Sequence, residues 1–434
     1  MNGQRCLVLG MGVSGRSAAL FLLKQGAEVF AYDIKEGLRG PDIEALESMG
    51  LQWISIHSSI GVDNFDLAVV SPGVPPNDFL YKKILEAKIP FCGEIELAFR
   101  SINNPIIGVT GTNGKTTVCH LTAHILNSGG IPAKVLGNSG IALSSVLNKP
   151  MDGVVVCELS SYQIETLSTK KLDAAAILNI TEDHLDRYRT MERYAAAKIR
   201  IKDGLKEGAP LLVREDISSC YGAYLTGTDV RTFDLSKDAD ISKDFIDDLL
   251  PIAYRGTFTH DVENMMAAYG LSKVIGIDDQ IISNSYDTFS KPPHRIQLIK
   301  QIRGIKFYND SKGTNVDAMK RAVESMQGAV HLIAGGKAKG ASFKSLLPGF
   351  KGKVKTIAAI GEAKEQIVQE FGNDISVVIC ATLNEAVERL FDIARESDNV
   401  LLSPGCASFD MFKNFEHRGE CFVKAVDALA LQKV

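Results

Sequence analysis

Short apolar runs and amphipathic stretches alternate along almost the whole chain, the rhythm of strands followed by covering helices. Residues 5–9, 27–32, 66–70 and 89–92 read as strands of a first sheet, with a helix through Ala18, Leu22 and Leu23 and others over 79–87 and 94–100. Ile106, Ile107 and Val109 open a second series: a strand, a helix over 118–126, then continuous apolar runs at 153–157 and 173–180. Runs without polar alternation suit parallel strands covered on both faces. Residues 191–205 read as a helix with the apolar stripe Tyr194, Ala197, Ile201 and Leu205; Lys198 falls at its edge and reads as a solvated surface lysine. A strand at 211–213, weakly patterned edge strands and loops over 226–250, and a helix over 265–274 complete this series, and Pro292-Pro293 marks a boundary. Strands at 306–308, 329–334, 354–360, 376–380 and 400–402 then alternate with helices at 315–326, 362–371, 383–396 and 419–431.

Length agrees with three such series, since 434 residues at roughly 150 per domain make about three domains. The net charge of -4, with basic residues interspersed among acids, gives no reason to expect nucleic acid. Eight cysteines stand singly with no Cys-x-x-Cys pair, so reduced thiols are expected rather than disulfides or zinc. No signal-type start and no stretch of about 18 apolar residues occurs, so the expected location is cytoplasmic, without a membrane span.

Candidate chemistry gathers at the turns. Gly111-Thr-Asn-Gly-Lys-Thr-Thr117 lies between a buried strand and a helix, where glycines let the backbone curl round a phosphate and helix amides point at it. Lys115 would reach the terminal phosphates of a nucleoside triphosphate, and the Thr116 hydroxyl a magnesium ion. Glu158, delivered at the end of the run at 153–157, would supply that ion with a carboxylate, although a lone acid is more often exposed. His184, in the polar cluster Thr181-Glu-Asp-His-Leu-Asp186, is a candidate ligand for a second ion. Gly10-Met-Gly12-Val-Ser-Gly15 with Asp33 forms a complete Gly-x-Gly-x-x-Gly unit; alone it favours NAD, and any nucleotide diphosphate fits the same geometry. The fold class expected is thus α/β with an N-terminal Rossmann-like domain (1–93), a central P-loop ATPase-like domain (94–291) and a C-terminal Rossmann-like domain (292–434). Three polar loops at strand ends of the last domain, 309–315, 335–340 and 403–409, make a site there.

The P-loop, Glu158-Leu-Ser-Ser-Tyr-Gln163, Asn179-Ile-Thr-Glu-Asp-His-Leu-Asp186, His294-Arg295, Asp310-Ser-Lys-Gly-Thr-Asn315, Ser403-Pro-Gly-Cys-Ala-Ser408 and Lys413-Asn-Phe-Glu-His-Arg-Gly419 together resemble the Mur ligases of peptidoglycan synthesis, over all three domains in order. Within that family the Asp-Ser-Lys-x-Thr-Asn loop and the Ser-Pro block resemble the member that adds D-glutamate. The resemblance implies an ATP-dependent amide ligase, a monomer using UDP-N-acetylmuramoyl-L-alanine, D-glutamate, ATP and two Mg2+ ions. It implies that Gly12, Val13, Ser14, Gly15, Asp33, Lys35, Ser71 and Gly73 hold the UDP part, replacing NAD, and that Asn138 and Ser160 face the muramoyl-alanine. Gly111, Thr112, Asn113, Gly114, Lys115, Thr116 and Thr117 would hold ATP, with Asn264, Arg295 and Asp310 at its base or ribose end. Thr116 and Glu158 would bind one magnesium and His184 a second, bridged by a carbamylated Lys198. Lys312, Thr314, Lys339, Ser408 and Phe415 would surround D-glutamate, with Lys337 the alternative to Lys339. A folylpolyglutamate synthase-like ligase would lack the Gly10 to Gly15 unit. A nucleotide-gated binding module would leave Glu158, His184 and the last loops unexplained, and an NAD-dependent oxidoreductase would leave the P-loop idle.

Overall fold

The computed structural model describes residues 1–434 apart from 36, 56–63, 139, 237, 250–258 and 434. It carries three sheets and divides into two compact units, Met1–Asn179 with Ala195–Phe289, and Ile180–Tyr194 with Ser290–Val434.

The first unit holds two parallel sheets. In the first, β1 (Arg5–Leu9), β2 (Glu28–Tyr32), β3 (Gln52–Trp53), β4 (Leu67–Val70) and β5 (Phe91–Gly93) lie in the order β3-β2-β1-β4-β5. The chain reverses direction across the sheet on either side of β1, which opens a crevice at the carboxyl ends of β1 and β4. Ala18, Ala19, Phe21 and Leu22 of the helix Val13–Lys24 cover one face, packing on Cys6, Val8 and Val29. The second sheet comprises β6 (Ile106–Thr110), β7 (Ala133–Gly137), β8 (Val154–Glu158), β9 (Ala174–Ile177), β10 (Pro210–Arg214) and β11 (Asp229–Phe233), ordered β11-β10-β9-β6-β8-β7. β6, buried at every position, sits centrally between β8 and β9.

The second unit has one mixed sheet of β12 (Gln297–Ile302), β13 (Ile305–Asn309), β14 (Val330–Gly335), β15 (Val354–Ile360), β16 (Ser376–Ile379) and β17 (Asn399–Leu402), ordered β12-β13-β17-β14-β15-β16. Only β12 is antiparallel to its neighbour. The carboxyl ends of β13, β17 and β14 are adjacent, and the loops 309–315, 403–409 and 335–340 leave from them.

Several elements differ from expectation for local reasons. β3 is exposed at both residues and β7 begins with a half-polar Ala-Lys-Val, so neither shows an apolar run. The helix expected over 191–205 is α-helical only over Met191–Ile199 and tightens to a 3-10 turn over Arg200–Gly204. A helix, Lys243–Leu249, stands where edge strands and loops were expected, and Asp279–Thr288 forms a further helix.

The helix Glu94–Phe99, buried along its whole length, joins the two sheets of the first unit. Its Glu96 accepts hydrogen bonds from Ser168 N (2.9 Å), Ser168 Oγ (2.8 Å), Thr169 N (3.0 Å), Thr169 Oγ1 (2.7 Å) and Arg100 Nε (2.9 Å). Burial pulls the carboxyl's pKa upward, but the Ser168 and Thr169 donors outweigh it and hold the group below its ordinary 4.5. Stability from such a group is present above pH 4.5 and is lost as pH falls through the lower folded value. Glu96→Ala is expected to remove roughly 1–2 kcal/mol at pH 7, by taking the shared acceptor from five donors, some of which water can reach, and less at pH 3. Urea denaturation at the two pH values checks this; an unchanged midpoint at pH 7 would count against the link.

Candidate active site

At the end of β1 the chain must turn sharply, and glycine is needed twice. Gly10 has φ +83°, and a Cβ on Gly15 would stand 1.9 Å from the Gly10 carbonyl oxygen. Ser71, at the end of β4, donates to that same carbonyl at 2.6 Å. Asp33 accepts Met11 N at 2.7 Å through one oxygen and Lys35 N at 2.9 Å through the other, which shapes the loop, and it also lines the cleft. Gly12, Val13, Ser14, Asp33, Lys35, Ser71 and Gly73 line one cleft of about 570 Å³, with Gly15 beneath it. A hollow of about 590 Å³ shares Asp33 and Lys35 and extends to Arg39 and Trp53. Those two residues, and Arg16 in the cleft, were not singled out from sequence, because no motif or apolar run marks them.

β6 delivers the second glycine loop. Gly114 takes a left-handed φ of +88°, and the helix Lys115–Ser128 begins at the next residue. Asn179 fastens the loop from the end of β9, accepting Asn113 N at 2.8 Å and donating to Asn113 O at 3.0 Å. Lys115 Nζ is held over the concavity by the carbonyls of Gly111 (2.8 Å) and Thr112 (2.9 Å). Thr117 is buried behind it, and the Asn264 side chain lies against Gly114 from the helix Thr259–Val274.

Around this loop the bland readings of two residues fail. Glu158 is 2% exposed, because β8 pairs with β6 in a register that places it opposite Val109. Its carboxylate accepts the Thr116 hydroxyl at 2.8 Å and Asn138 Nδ2 at 2.9 Å. Lys198 is not a solvated lysine: it is also 2% exposed, and its Nζ donates to Gly111 O at 2.8 Å. Ser160 is the N-cap of the short helix Ser161–Ile164, in a capping box with Gln163. Among the described residues no three His, Cys, Asp or Glu side chains gather as a metal cage. A hydroxyl touching one buried carboxylate is nevertheless the donor set that suits magnesium, which keeps most of its shell for water and phosphate.

In the second unit, His184 adopts a left-handed φ of +55° and its ring lies against Tyr194. The neighbouring Asp183 binds Lys339 Nζ at 3.1 Å and Asn315 Nδ2 at 3.2 Å, and lies 3.6 Å from His184 Nε2. Burial pushes the Asp183 pKa up, but the charges of Lys339 and His184 outweigh it and hold it low. Lys337 is exposed and bonded to Ala407 through its backbone, whereas Lys339 carries the ion pair with Asp183. Lys312 Nζ stands 5.0 Å above the Phe415 ring, and Thr314 N donates to Lys312 O. Ser408 is buried on the loop after β17. Asp310, at the end of β13, is raised by burial from its ordinary 3.8 to about 7, against the pull of Ser403 Oγ at 2.8 Å and of Arg295. Asp183 and Asn315, inside recognised motifs, were not assigned roles, and only their contacts reveal what they do.

The three segments match three family models: "Mur ligase MurD-like, N-terminal domain" over residues 4–93, "Mur ligase middle domain" over 109–272, and "Mur ligase, glutamate ligase domain" over 294–406. The UDP-N-acetylmuramoylalanine--D-glutamate ligase of Protochlamydia amoebophila is 44% identical, covering 98% of this chain and 98% of its own. The ligase of the same name from Thermoanaerobacter sp. (strain X514) is 36% identical over 99% of each. Among solved structures, the fold resembles UDP-N-acetylmuramate-alanine ligase MurC from Thermotoga maritima, with a TM-score of 0.60, 16% identity and coverage of 98% of this chain and 100% of that one. MurF ligase from Thermotoga maritima in complex with ADP has a TM-score of 0.58 at 14% identity, covering 99% of this chain and 96% of that one. With each domain matched in order and likeness extending over nearly the full length of its relatives, this chain belongs to the Mur ligase family.

Proposed function

We propose that this ATP-dependent amide ligase joins D-glutamate to UDP-N-acetylmuramoyl-L-alanine. The observation that carries the reading is the buried contact of Glu158 with the P-loop Thr116, beside two lysines that share the Gly111 carbonyl. The names of its near full-length relatives supply the substrate pair. The glycine turn can hold a diphosphate whichever base it carries, and the names of the relatives favour UDP over NAD there.

The chemistry follows from the donors present. The amides after Gly111 and the ammonium of Lys115 neutralise the γ-phosphate while the alanyl carboxylate attacks phosphorus, giving an acyl phosphate and ADP. The D-glutamate amine then attacks the acyl carbon and phosphate leaves. Thr116 and Glu158 would hold magnesium, which supplies charge stabilisation at the transferring phosphoryl group. Lys198 would act as a carbamate, adding anionic oxygens, and His184 as a further magnesium ligand. Lys312, Thr314, Lys339, Ser408 and Phe415 would take D-glutamate, and Asn264, Arg295 and Asp310 the base or ribose of ATP.

Phosphate release from ATP and UDP-N-acetylmuramoyl-L-alanine is expected to require D-glutamate, to be negligible with L-glutamate, and to fall roughly 100-fold or more in Lys115→Ala. Release that follows another amino acid in a panel would make the chain a different Mur-type ligase. A pH effect follows from Asp310. A carboxyl raised from 3.8 to about 7 in the fold binds more protons folded than unfolded, so its stability contribution is full below 3.8 and is lost as pH rises to about 7. The melting temperature of the wild type is expected to drop more between pH 5 and 8 than that of Asp310→Asn, and equal drops would refute the assignment.

A further inference from the structure

Among the described residues Arg418 is the largest completely buried side chain, at 0% exposure, yet no role in substrate binding falls to it. It projects from the helix Phe415–Lys433. Its Nε donates to Ser311 Oγ at 3.0 Å, one terminal nitrogen to Ser311 O at 2.8 Å, and the other to Cys406 O at 3.1 Å. Ser311 Oγ in turn donates to Phe415 O at 2.8 Å. The guanidinium fork therefore fastens three elements: the loop after β13, which carries Lys312 and Thr314; the loop after β17, which carries Ser408; and the helix start, which carries Phe415. Gly336 closes over the same group, since a Cβ there would come within 3.3 Å of an Arg418 terminal nitrogen.

Packing alone does not account for this choice. An apolar side chain of similar volume fills a core without the desolvation cost of a buried cation, and all three acceptors of Arg418 are neutral oxygens. What the guanidinium supplies, and an apolar group or a lysine does not, is a rigid planar set of donors able to span two loops at once. Burial pushes its pKa down to about 10, so it keeps its charge at neutral pH.

We infer that Arg418 is a positioning residue of the D-glutamate pocket: it acts through Ser311 and Cys406 to hold Lys312, Thr314, Ser408 and Phe415 in one binding geometry. This rests on the D-glutamate reading above. It concerns the amino acid rather than the nucleotides: Asp310 takes its hydrogen bonds from Ser403 Oγ at 2.8 Å and Ile296 N at 3.3 Å and feels Arg418 only through its charge, which Arg418→Lys keeps.

The test uses the full chain with Arg418→Lys, which keeps the charge and loses the fork, and Ser311→Ala, which removes only the hydroxyl link. Each substrate is varied in turn, and amide hydrogen exchange is followed over both loops. Arg418→Lys is expected to raise KM for D-glutamate roughly 10-fold or more, with KM for ATP and for UDP-N-acetylmuramoyl-L-alanine within about twofold. Exchange should accelerate over 310–315 and 403–409 and not in the first unit. Ser311→Ala should show a smaller rise in the same KM. An unchanged D-glutamate KM, three constants rising together, or unaltered loop exchange would overturn the inference. Should Arg418→Lys fail to fold, Ser311→Ala decides by the same KM. A wild type silent toward D-glutamate would sink the functional reading by itself, and loop exchange in Arg418→Lys would still decide whether Arg418 positions these loops.

Discussion

The Gly111 carbonyl accepts hydrogen bonds from two lysines, Lys115 from its own loop and Lys198 from a helix that follows much later in the chain. Bringing two lysine nitrogens to one neutral oxygen, on the loop whose Thr116 meets a buried carboxylate, is tolerable only where each polar group finds a partner at contact distance. Much of the local architecture follows from that requirement. Glu158 is met by Thr116 and Asn138, Asn113 is clasped by Asn179, and Gly114 adopts a left-handed turn that lets the helix start immediately beneath. The result is a concave ring of donors and one carboxylate at the carboxyl edge of β6, β8 and β9, set before any phosphate arrives.

The same rule of parallel sheets operates in each module with different side chains. In the first sheet, the crevice at the reversal of strand order is shaped by Asp33 and Ser71, which bind backbone and leave the glycine turn open. In the last sheet, adjacent strand ends put Asp310, Ser403 and Gly335 side by side, and Arg418 ties the loops that leave from them. The two sheets of the first unit are joined in part by polar contacts. Glu96 binds the 168–169 turn, and Ser144 Oγ meets Ser17 Oγ at 2.8 Å.

The strands and helices that carry chemistry were legible because their signals are local. β1, β6, β8 and β14 are dominated by apolar residues, and the glycine turns after β1 and β6 announce themselves by spacing. Elements without such a run stayed hidden: exposed β3, half-polar β7, and β12, which presents an edge to solvent. The family resemblance rested on the same short motifs, and likeness over the whole chain agrees with it.

By itself the sequence determined the α/β alternation, the two glycine cradles and the identity of most polar groups at strand ends, since each depends on neighbours a few residues away. Only the tertiary structure decided that Lys198 is buried on the Gly111 carbonyl, that Asp33 serves the backbone, that Lys339 is paired with Asp183, and that Arg418 lies unexposed beneath two loops. Apart from the local bond of Asp33 to Lys35 N, these contacts join residues from 12 to 156 positions apart. Whether a charged side chain meets water or a partner is set by what strand order and helix packing bring against it, and no local pattern encodes that.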